Sequence, residues 1–202
     1  MVVNKIARIL VEPADDKKGG ATLTSLLSEK LKIPVYPCHR LDRETSGLML
    51  YAKSIPVQEN VMAQFKAGAV SKEYLAFASG AFRAKEGIWE ARILDHEGRK
   101  KGEQPKIAKT AYHVIKELKL FSLVSLKPFT GRTNQLRIQL ANVGHPILGE
   151  RKYAFGRDFK IKFRRVALHA CFISFAHPIT QQKLEFKLDL PKDMADFLQK
   201  YL

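Results

Sequence analysis

Long apolar runs are missing from this 202-residue chain: they extend for only a few residues, as in Ile9-Leu10-Val11, against the ~20 that a membrane-spanning helix requires. No membrane partner is expected. The first residues also carry no basic stretch followed by an apolar core, so no secretory leader is read and a cytoplasmic location is expected. Cysteine is scarce. Cys38 and Cys171 stand far apart at no metal or redox spacing, which excludes a disulfide framework and predicts two reduced, mostly buried thiols. The six histidines form neither H-x-x-x-H nor H-E-x-x-H, so no metal site is expected. Internal repeats are absent, and acidic residues are in deficit. Against 20 Asp and Glu stand 35 Lys and Arg, a net charge of +15 and an isoelectric point near 9.9. A polyanion is the natural partner of such a chain, and nucleic acid is the commonest one.

What is present is an ordinary globular composition, 46% hydrophobic and 27% charged, in a chain of single-domain length. Residues 1–202 are read as one domain. Periodicity predicts strands at Val2-Val3, Ile9-Leu10-Val11, Leu48 to Ala52, Val70 to Ala78, Ile88 to Leu94, Lys109 to Ile115, Phe121 to Leu126, Val166 to Phe175 and Leu184 to Leu188. Helices are predicted after Thr22 with Leu23, Leu26, Leu27 and Leu31 inward, and after Ser54 with Val57, Val61 and Phe65 inward. Two more are predicted, after Thr133 with Leu136, Leu140 and Val143 inward, and from about Pro191 with Met194, Phe197, Leu198 and Tyr201 inward. The predicted fold is α+β: a mixed, mainly antiparallel sheet with flanking short helices and a central catalytic cleft.

Chemistry concentrates in Pro37-Cys38-His39-Arg40-Leu41-Asp42-Arg43-Glu44-Thr45-Ser46-Gly47-Leu48-Met49-Leu50. Pro37 fixes an extended start and the apolar run after Gly47 reads as a buried strand. If the segment between is extended, Arg40, Asp42 and Glu44 point one way, with Thr45-Ser46-Gly47 turning the chain into the strand. That sets a carboxylate beside a guanidinium at a strand mouth. Three further stretches stand out: Lys72-Glu73-Tyr74, whose Tyr74 shares a strand face with small Ala76 and Ala78; Gly131-Arg132-Thr133-Asn134-Gln135-Leu136-Arg137; and Leu168-His169-Ala170 followed by Phe175-Ala176-His177-Pro178-Ile179-Thr180. A tyrosine with open space beside it is a candidate to stack on a base. The run Gly98 to Lys106 is either a solvated face or a phosphate-contacting loop, and Lys160 to Arg165 is a basic, aromatic-interleaved patch.

H-R-L-D-x-x-T-S-G-L-x-L, K-x-Y, G-R-T-x-Q-L-R, L-H-A and F-x-H-P-x-T, in this order, resemble the RluA-type pseudouridine synthases over nearly the whole chain. The chain departs from that pattern at Lys5-Ile6-Ala7-Arg8, where the family has K-P-x-G, and at Asn134 and Gln139, where it commonly has His and where titration near neutrality is lost. The resemblance implies conversion of uridine in RNA to pseudouridine without cofactor, by Asp42 acting either as nucleophile at C1′ or as base at C2′. It further implies Arg132 as the ion-pair partner of Asp42 and Tyr74 as the stacking residue. A uridine inside a helix must be flipped out; Arg40 would fill the vacated stack or pair with Asp42 or Glu44. Further RNA contacts are expected from His39, Arg43, Lys72, Lys100, Lys101, Thr133, Gln135, Arg137, Arg164 and Arg165. The expectation is a single catalytic domain without an N-terminal RNA-binding appendage, a monomer acting on structured rRNA or tRNA. The rivals are a hydrolytic N-glycosidase, which would need a second carboxylate opposed to Asp42, and a basic RNA-binding domain without catalysis.

Overall fold

The computed structural model describes residues 1–13, 20–94, 104–154 and 161–202. Among them the chain forms β1 (Val2–Lys5), α1 (Leu23–Leu31), β2 (Tyr36–Pro37), β3 (Ser46–Ala52), α2 (Ile55–Lys66), β4 (Ser71–Ser79) and β5 (Glu86–Ile93). There follow β6 (Lys106–Glu117), β7 (Phe121–Pro128), α3 (Gln135–Asn142), β8 (Leu168–Ala176), β9 (Lys183–Lys187) and α4 (Lys192–Gln199). The class is α+β and mainly antiparallel, as the sequence predicts. The chain divides into two compact units, Met1–Lys72 with Ala170–Asp189, and Glu73–His169 with Leu190–Leu202. No described helix is long and apolar enough to cross a membrane.

The first unit is built on β3, which is buried at every residue. That burial is why Leu48 to Ala52 reads as a continuous apolar run rather than an alternating one. β1 pairs with it antiparallel, Val2 opposite Leu50 and Lys5 opposite Gly47, and β2 sets Tyr36 opposite Ala52. β8 lies beside β3 and also pairs antiparallel with β9, Phe172 opposite Lys187. α2 delivers the expected stripe: Val61 is buried among Cys38, Leu48, Leu50, Ile173 and Phe175, with Val57 and Phe65 packed alongside. Gly68, at φ 72, ends the helix turn in the left-handed conformation that glycine adopts without strain.

α1 begins as predicted, with a capping box in which the Thr22 hydroxyl accepts from Ser25 N–H and the Ser25 hydroxyl accepts from Thr22 N–H. Its inward face is a correction. No residue of α1 is fully buried, and Leu26 and Leu31 are exposed. The strand expected at Ile9 to Val11 does not form either. The carbonyls of Leu10 and Val11 instead accept from the N–H groups of Leu23 and Thr24, two of the first-turn donors that a helix cannot satisfy internally.

In the second unit the strands lie in the order β4-β7-β6-β5. β6 and β7 form the predicted antiparallel pair, with a register shift between Val114 and Lys116. Phe77, Phe121, Leu126, Leu140, Ile147, Leu148 and Met194 form its fully buried centre, covered by Phe163 and Phe197. α3 starts one residue later than predicted: Asn134, not Thr133, is its N-cap, at a left-handed φ of 52. Leu136 and Leu140 are buried, but Val143 and, beyond α4, Tyr201 are exposed rather than core.

Gly47 is closely packed against β8. A Cβ built there would lie 2.2 Å from the Ala170 carbonyl oxygen, and the residue sits at φ 119. Gly47→Ala is expected to cost about 3 kcal/mol through backbone collision and strain, a drop of roughly 6–12 °C in Tm for a chain of this size. Gly20→Ala, where the added methyl meets nothing within 4 Å, serves as the control in the same thermal melt.

Candidate active site

The loop from Cys38 to Thr45 is held to β3 from its first residues. Cys38 N–H donates to the Leu50 carbonyl at 2.9 Å, and Leu50 N–H donates back to His39 Nε2 at 3.0 Å, so a side chain continues the ladder where β2 ends. Gln58 of α2 adds a bond from its amide to the Pro37 carbonyl at 2.9 Å. His39 stacks at 4.7 Å on Phe65, and burial, with the nearby Lys72 charge, lowers its pKa to about 3. It is therefore neutral, which leaves Nε2 free to accept.

Past His39 the chain runs to Asp42 outside any strand. Thr45 N–H donates to the Asp42 carbonyl at 3.1 Å, closing a tight turn around Arg43 and Glu44. Two expectations are corrected here: Arg40, Asp42 and Glu44 do not lie along one extended face, and Ser46-Gly47 already belong to β3 instead of forming the turn. Asp42 is half-buried, while Arg40 and Arg43 are exposed.

This turn closes over the ammonium of Lys5. Lys5 is fully buried, and its Nζ donates to the carbonyls of Thr45 at 2.7 Å, Ile6 at 3.1 Å, and Asp42 and Arg43 at 3.2 Å each. Three N–H bonds serve four acceptors, so one is shared. Sequence alone gives Lys5 no role; its function is visible once β1 pairs with β3 and sets it opposite Gly47, which has no side chain to occupy the same space.

In the second unit Tyr74 lies on β4 opposite Leu126, half-buried against that unit's core. Arg132 is exposed on the turn before α3, and that turn is fastened by buried amides. Gln135 Oε1 accepts from Arg132 N–H at 3.0 Å and from the Thr130 hydroxyl at 2.7 Å. Its Nε2 donates to Thr110 Oγ1 at 3.0 Å and the Lys109 carbonyl at 3.2 Å. Thr110 donates onward to Gln139 at 2.6 Å, and Gln139 donates to the Ala108 carbonyl at 3.1 Å. The Arg132 side chain itself donates from Nε to the Ile107 carbonyl at 3.1 Å.

Several expected RNA contacts are thus given other partners. Gln135 is buried within the network just described. Arg165 is buried and donates to both carboxylate oxygens of Asp193, at 2.7 and 3.0 Å, and to two backbone carbonyls. Arg137 grips Glu150 at 2.6 and 2.9 Å and also donates to Asn134. Lys72 lies over the Phe65 ring, half-buried, its pKa lowered by that burial. Physical accessibility leaves Arg40, Arg43, Arg132, Thr133 and Arg164 as the exposed members. Lys100 and Lys101 lie outside the described residues.

Comparison with known proteins agrees with this architecture. The family model described as RNA pseudouridylate synthase matches residues 1–142. The chain is 31% identical over 220 residues to ribosomal large subunit pseudouridine synthase D of Blochmanniella floridana, covering 98% of this chain and 68% of that protein. It is 32% identical over 218 residues to the Haemophilus influenzae protein of the same name, covering 98% and 67%. Among solved structures it superposes on human RNA pseudouridylate synthase domain containing 1 with a TM-score of 0.76 and 26% identity, covering 98% of this chain and 89% of that one. Human RNA pseudouridylate synthase domain containing 4 shares the fold, with a TM-score of 0.83 at 24% identity and coverages of 98% and 88%. The chain belongs to the RNA pseudouridylate synthase family. It is an isomerase that converts uridine in RNA to pseudouridine.

Two predictions follow from the polar groups inside the units. Lys5→Met keeps the volume but leaves four carbonyls without their donor, at roughly 1–3 kcal/mol for each group that stays unsatisfied; we expect a loss of at least about 3 kcal/mol in urea denaturation. A variant as stable as wild type would show that the ammonium does not hold the turn. Glu150 is the second case. Burial pushes its pKa up, but the Arg137 hydrogen bond and charge, with N–H donors from Lys152 and Tyr153, bring it below the ordinary value. A lowered folded pKa stabilises above the unfolded value near 4.3 and ceases to do so as pH falls through the folded one. Glu150→Gln should therefore cost about 3 kcal/mol at pH 7, and the gap to wild type in thermal melts should narrow steadily below about pH 4.

Proposed function

We propose that this chain forms pseudouridine in ribosomal RNA, with Asp42 as the reacting carboxylate, Arg132 as its ion-pair partner and Tyr74 as the residue that stacks on the turned base. The observation that carries the reading is the grip of the buried Lys5 ammonium on the Asp42 turn. A carboxylate that must meet C1′ or C2′ of one sugar gains from a backbone fixed before RNA arrives, and few other uses explain so much internal bonding behind one short loop. The relatives named above as ribosomal large subunit synthases support rRNA as the substrate, which in turn supports the cytoplasm as the place of work.

The isomerisation breaks the bond from the base N1 to C1′, turns the base and forms C5–C1′; the proton that C5 loses is matched by the one that N1 gains, so atoms balance without a co-reactant. Asp42 serves either as nucleophile at C1′ or as base at C2′. Arg132 favours the ionised form of Asp42 in either case. The exposed Arg40 is suited to fill the stack that a flipped uridine vacates.

The test is Asp42→Ala, assayed on rRNA at saturating protein with affinity and Tm measured alongside. Pseudouridine formation should vanish, Tm should hold, and RNA affinity should stay the same or tighten by at most about 1 kcal/mol, since one partly exposed negative charge leaves a basic surface. Appreciable turnover by the folded variant would remove Asp42 from the chemistry. Release of free uracil by wild type would indicate a hydrolytic glycosidase instead, and binding without any modified base would indicate an RNA-binding domain.

A further inference from the structure

Phe129 is 50% exposed, and every other described phenylalanine is buried or half-buried. Phe77, Phe121, Phe163 and Phe197 pack ring against ring, whereas the Phe129 ring stacks on no other ring among the described residues. Its exposure has a local cause. At the end of β7, Leu126 and Pro128 are buried and Lys127 is exposed, so alternation sends the next residue to the outer face.

The backbone that carries this ring is fixed. Pro128 lies opposite Thr110, and the pairing runs on past the strand end: Phe129 N–H donates to the Lys109 carbonyl at 2.9 Å, and Lys109 N–H donates to Thr130 Oγ1 at 2.9 Å. Thr130 is held in turn by Gln135. Two residues back along the same strand, the Ile107 carbonyl accepts from Arg132 Nε at 3.1 Å. Alternate carbonyls on one strand edge are about 7 Å apart, so a single edge of β6 anchors both Phe129 and Arg132. Cations stand around the ring. Lys127 is exposed on the same face, and Lys109, across the pairing, is itself bound to Glu90 at 2.8 Å. An exposed aromatic on a rigid backbone, flanked by cations, has the composition that binds unpaired nucleic acid: the ring stacks on a base and the cations follow the phosphates. Holding a phenylalanine still also costs little, because the side chain has only two torsions.

We propose that Phe129 stacks on an unpaired base of the substrate RNA, next to the uridine that is isomerised. The inference rests on the proposed place of Arg132 at the reacting nucleotide, from which the β6 edge leads to a neighbouring one. None of the RNA contacts expected from the sequence falls on Phe129. Stacking tolerates any base because each has a π-face, so this contact selects uridines whose neighbour is splayed out of a helix and does not read a particular sequence. Phe129 touches no reacting atom. Its loss should weaken RNA binding and leave the chemical step on bound RNA nearly unchanged.

The test pairs protein variants with altered RNA. On an RNA fragment containing a uridine that the wild-type protein modifies, Phe129→Ala should raise KM about fivefold to a hundredfold, the range for loss of one base stack, with kcat within about twofold. The slope of log affinity against log salt should stay as it is, because no phosphate contact is lost. Phe129→Trp should keep KM near that of wild type, and Phe129→Leu, apolar but without a π-face, should resemble Phe129→Ala. Abasic sites placed in turn at the nucleotides flanking the uridine should include one that raises KM for wild type and has little further effect on Phe129→Ala. Tm should move by no more than about 2 °C in any variant. Unchanged KM in Phe129→Ala would overturn the proposal, as would abasic penalties equal in the two proteins at every position, or a Tm lowered by several degrees. Failure of the Arg132 assignment is separable: if Arg132→Met turns over as wild type does, the reacting nucleotide has been misplaced, whereas the abasic comparison still reports whether Phe129 stacks on a base.

Discussion

The geometry of the Asp42 loop depends on one buried ammonium. Removing Lys5 from water carries a penalty of several kcal/mol, and that penalty is offset only while the carbonyls of Ile6, Asp42, Arg43 and Thr45 converge on Nζ. The dependence runs both ways. A loop that drifted would strand the charge, and a lysine that left would strand the carbonyls. Because Lys5 ends β1 and faces Gly47 of β3, the register of that strand pair fixes where the ammonium lies and so where the Asp42 backbone lies. A slip of one residue would turn Lys5 outward. Strand pairing, buried charge and loop shape are thus one constraint.

The second unit uses the same device with different groups. The turn bearing Arg132 is positioned by Gln135, Thr110 and Gln139 in a chain of buried hydrogen bonds. Arg137 with Glu150 and Arg165 with Asp193 tie the segments around α3 and α4. A buried amide or ion pair stabilises a fold only when every partner is present, which makes it a poor source of raw stability and a strict specifier of geometry. That strictness suits a site whose residues come from short loops. Within the net charge of +15, Arg137 and Arg165 are offset by the carboxylates of Glu150 and Asp193, whereas the charge of Lys5 lies inside the first unit among neutral carbonyls.

Much of the fold was legible because periodicity reports burial. β3 through β9, the inward stripe of α2 and the Met194 face of α4 all follow from the spacing of apolar residues, and the Asp42 loop follows from its string of residue types. The failures share a cause. Ile9 to Val11 has strand composition, but its carbonyls are taken by the start of α1. The α1 stripe has helical spacing, but its leucines stay partly or fully exposed. Spacing states which side of an element is apolar and says nothing of whether anything covers it. Polar residues were harder still. Gln135, Arg137 and Arg165 belong to types that bind RNA when exposed and brace turns when buried, and only the folded chain distinguishes the two. Lys5 was the least legible, because a single lysine at a strand end resembles any solvated lysine until its register partner is known.

The division between inner and outer cations also separates two kinds of electrostatics. The bonds of Lys5 and Gln135 lie in the interior, where mobile ions do not enter, whereas Arg40, Arg43, Arg132 and Arg164 are exposed to water in which charge is screened beyond about 8 Å at physiological salt. Attraction of RNA is therefore adjustable by ionic conditions, and the shape of the loop that presents Asp42 is not. An enzyme that turned the same residues to both tasks would lose its catalytic geometry whenever salt weakened its hold on RNA. Because the donors that shape the Asp42 loop are buried, salt that screens the exposed arginines leaves the form of that loop unchanged.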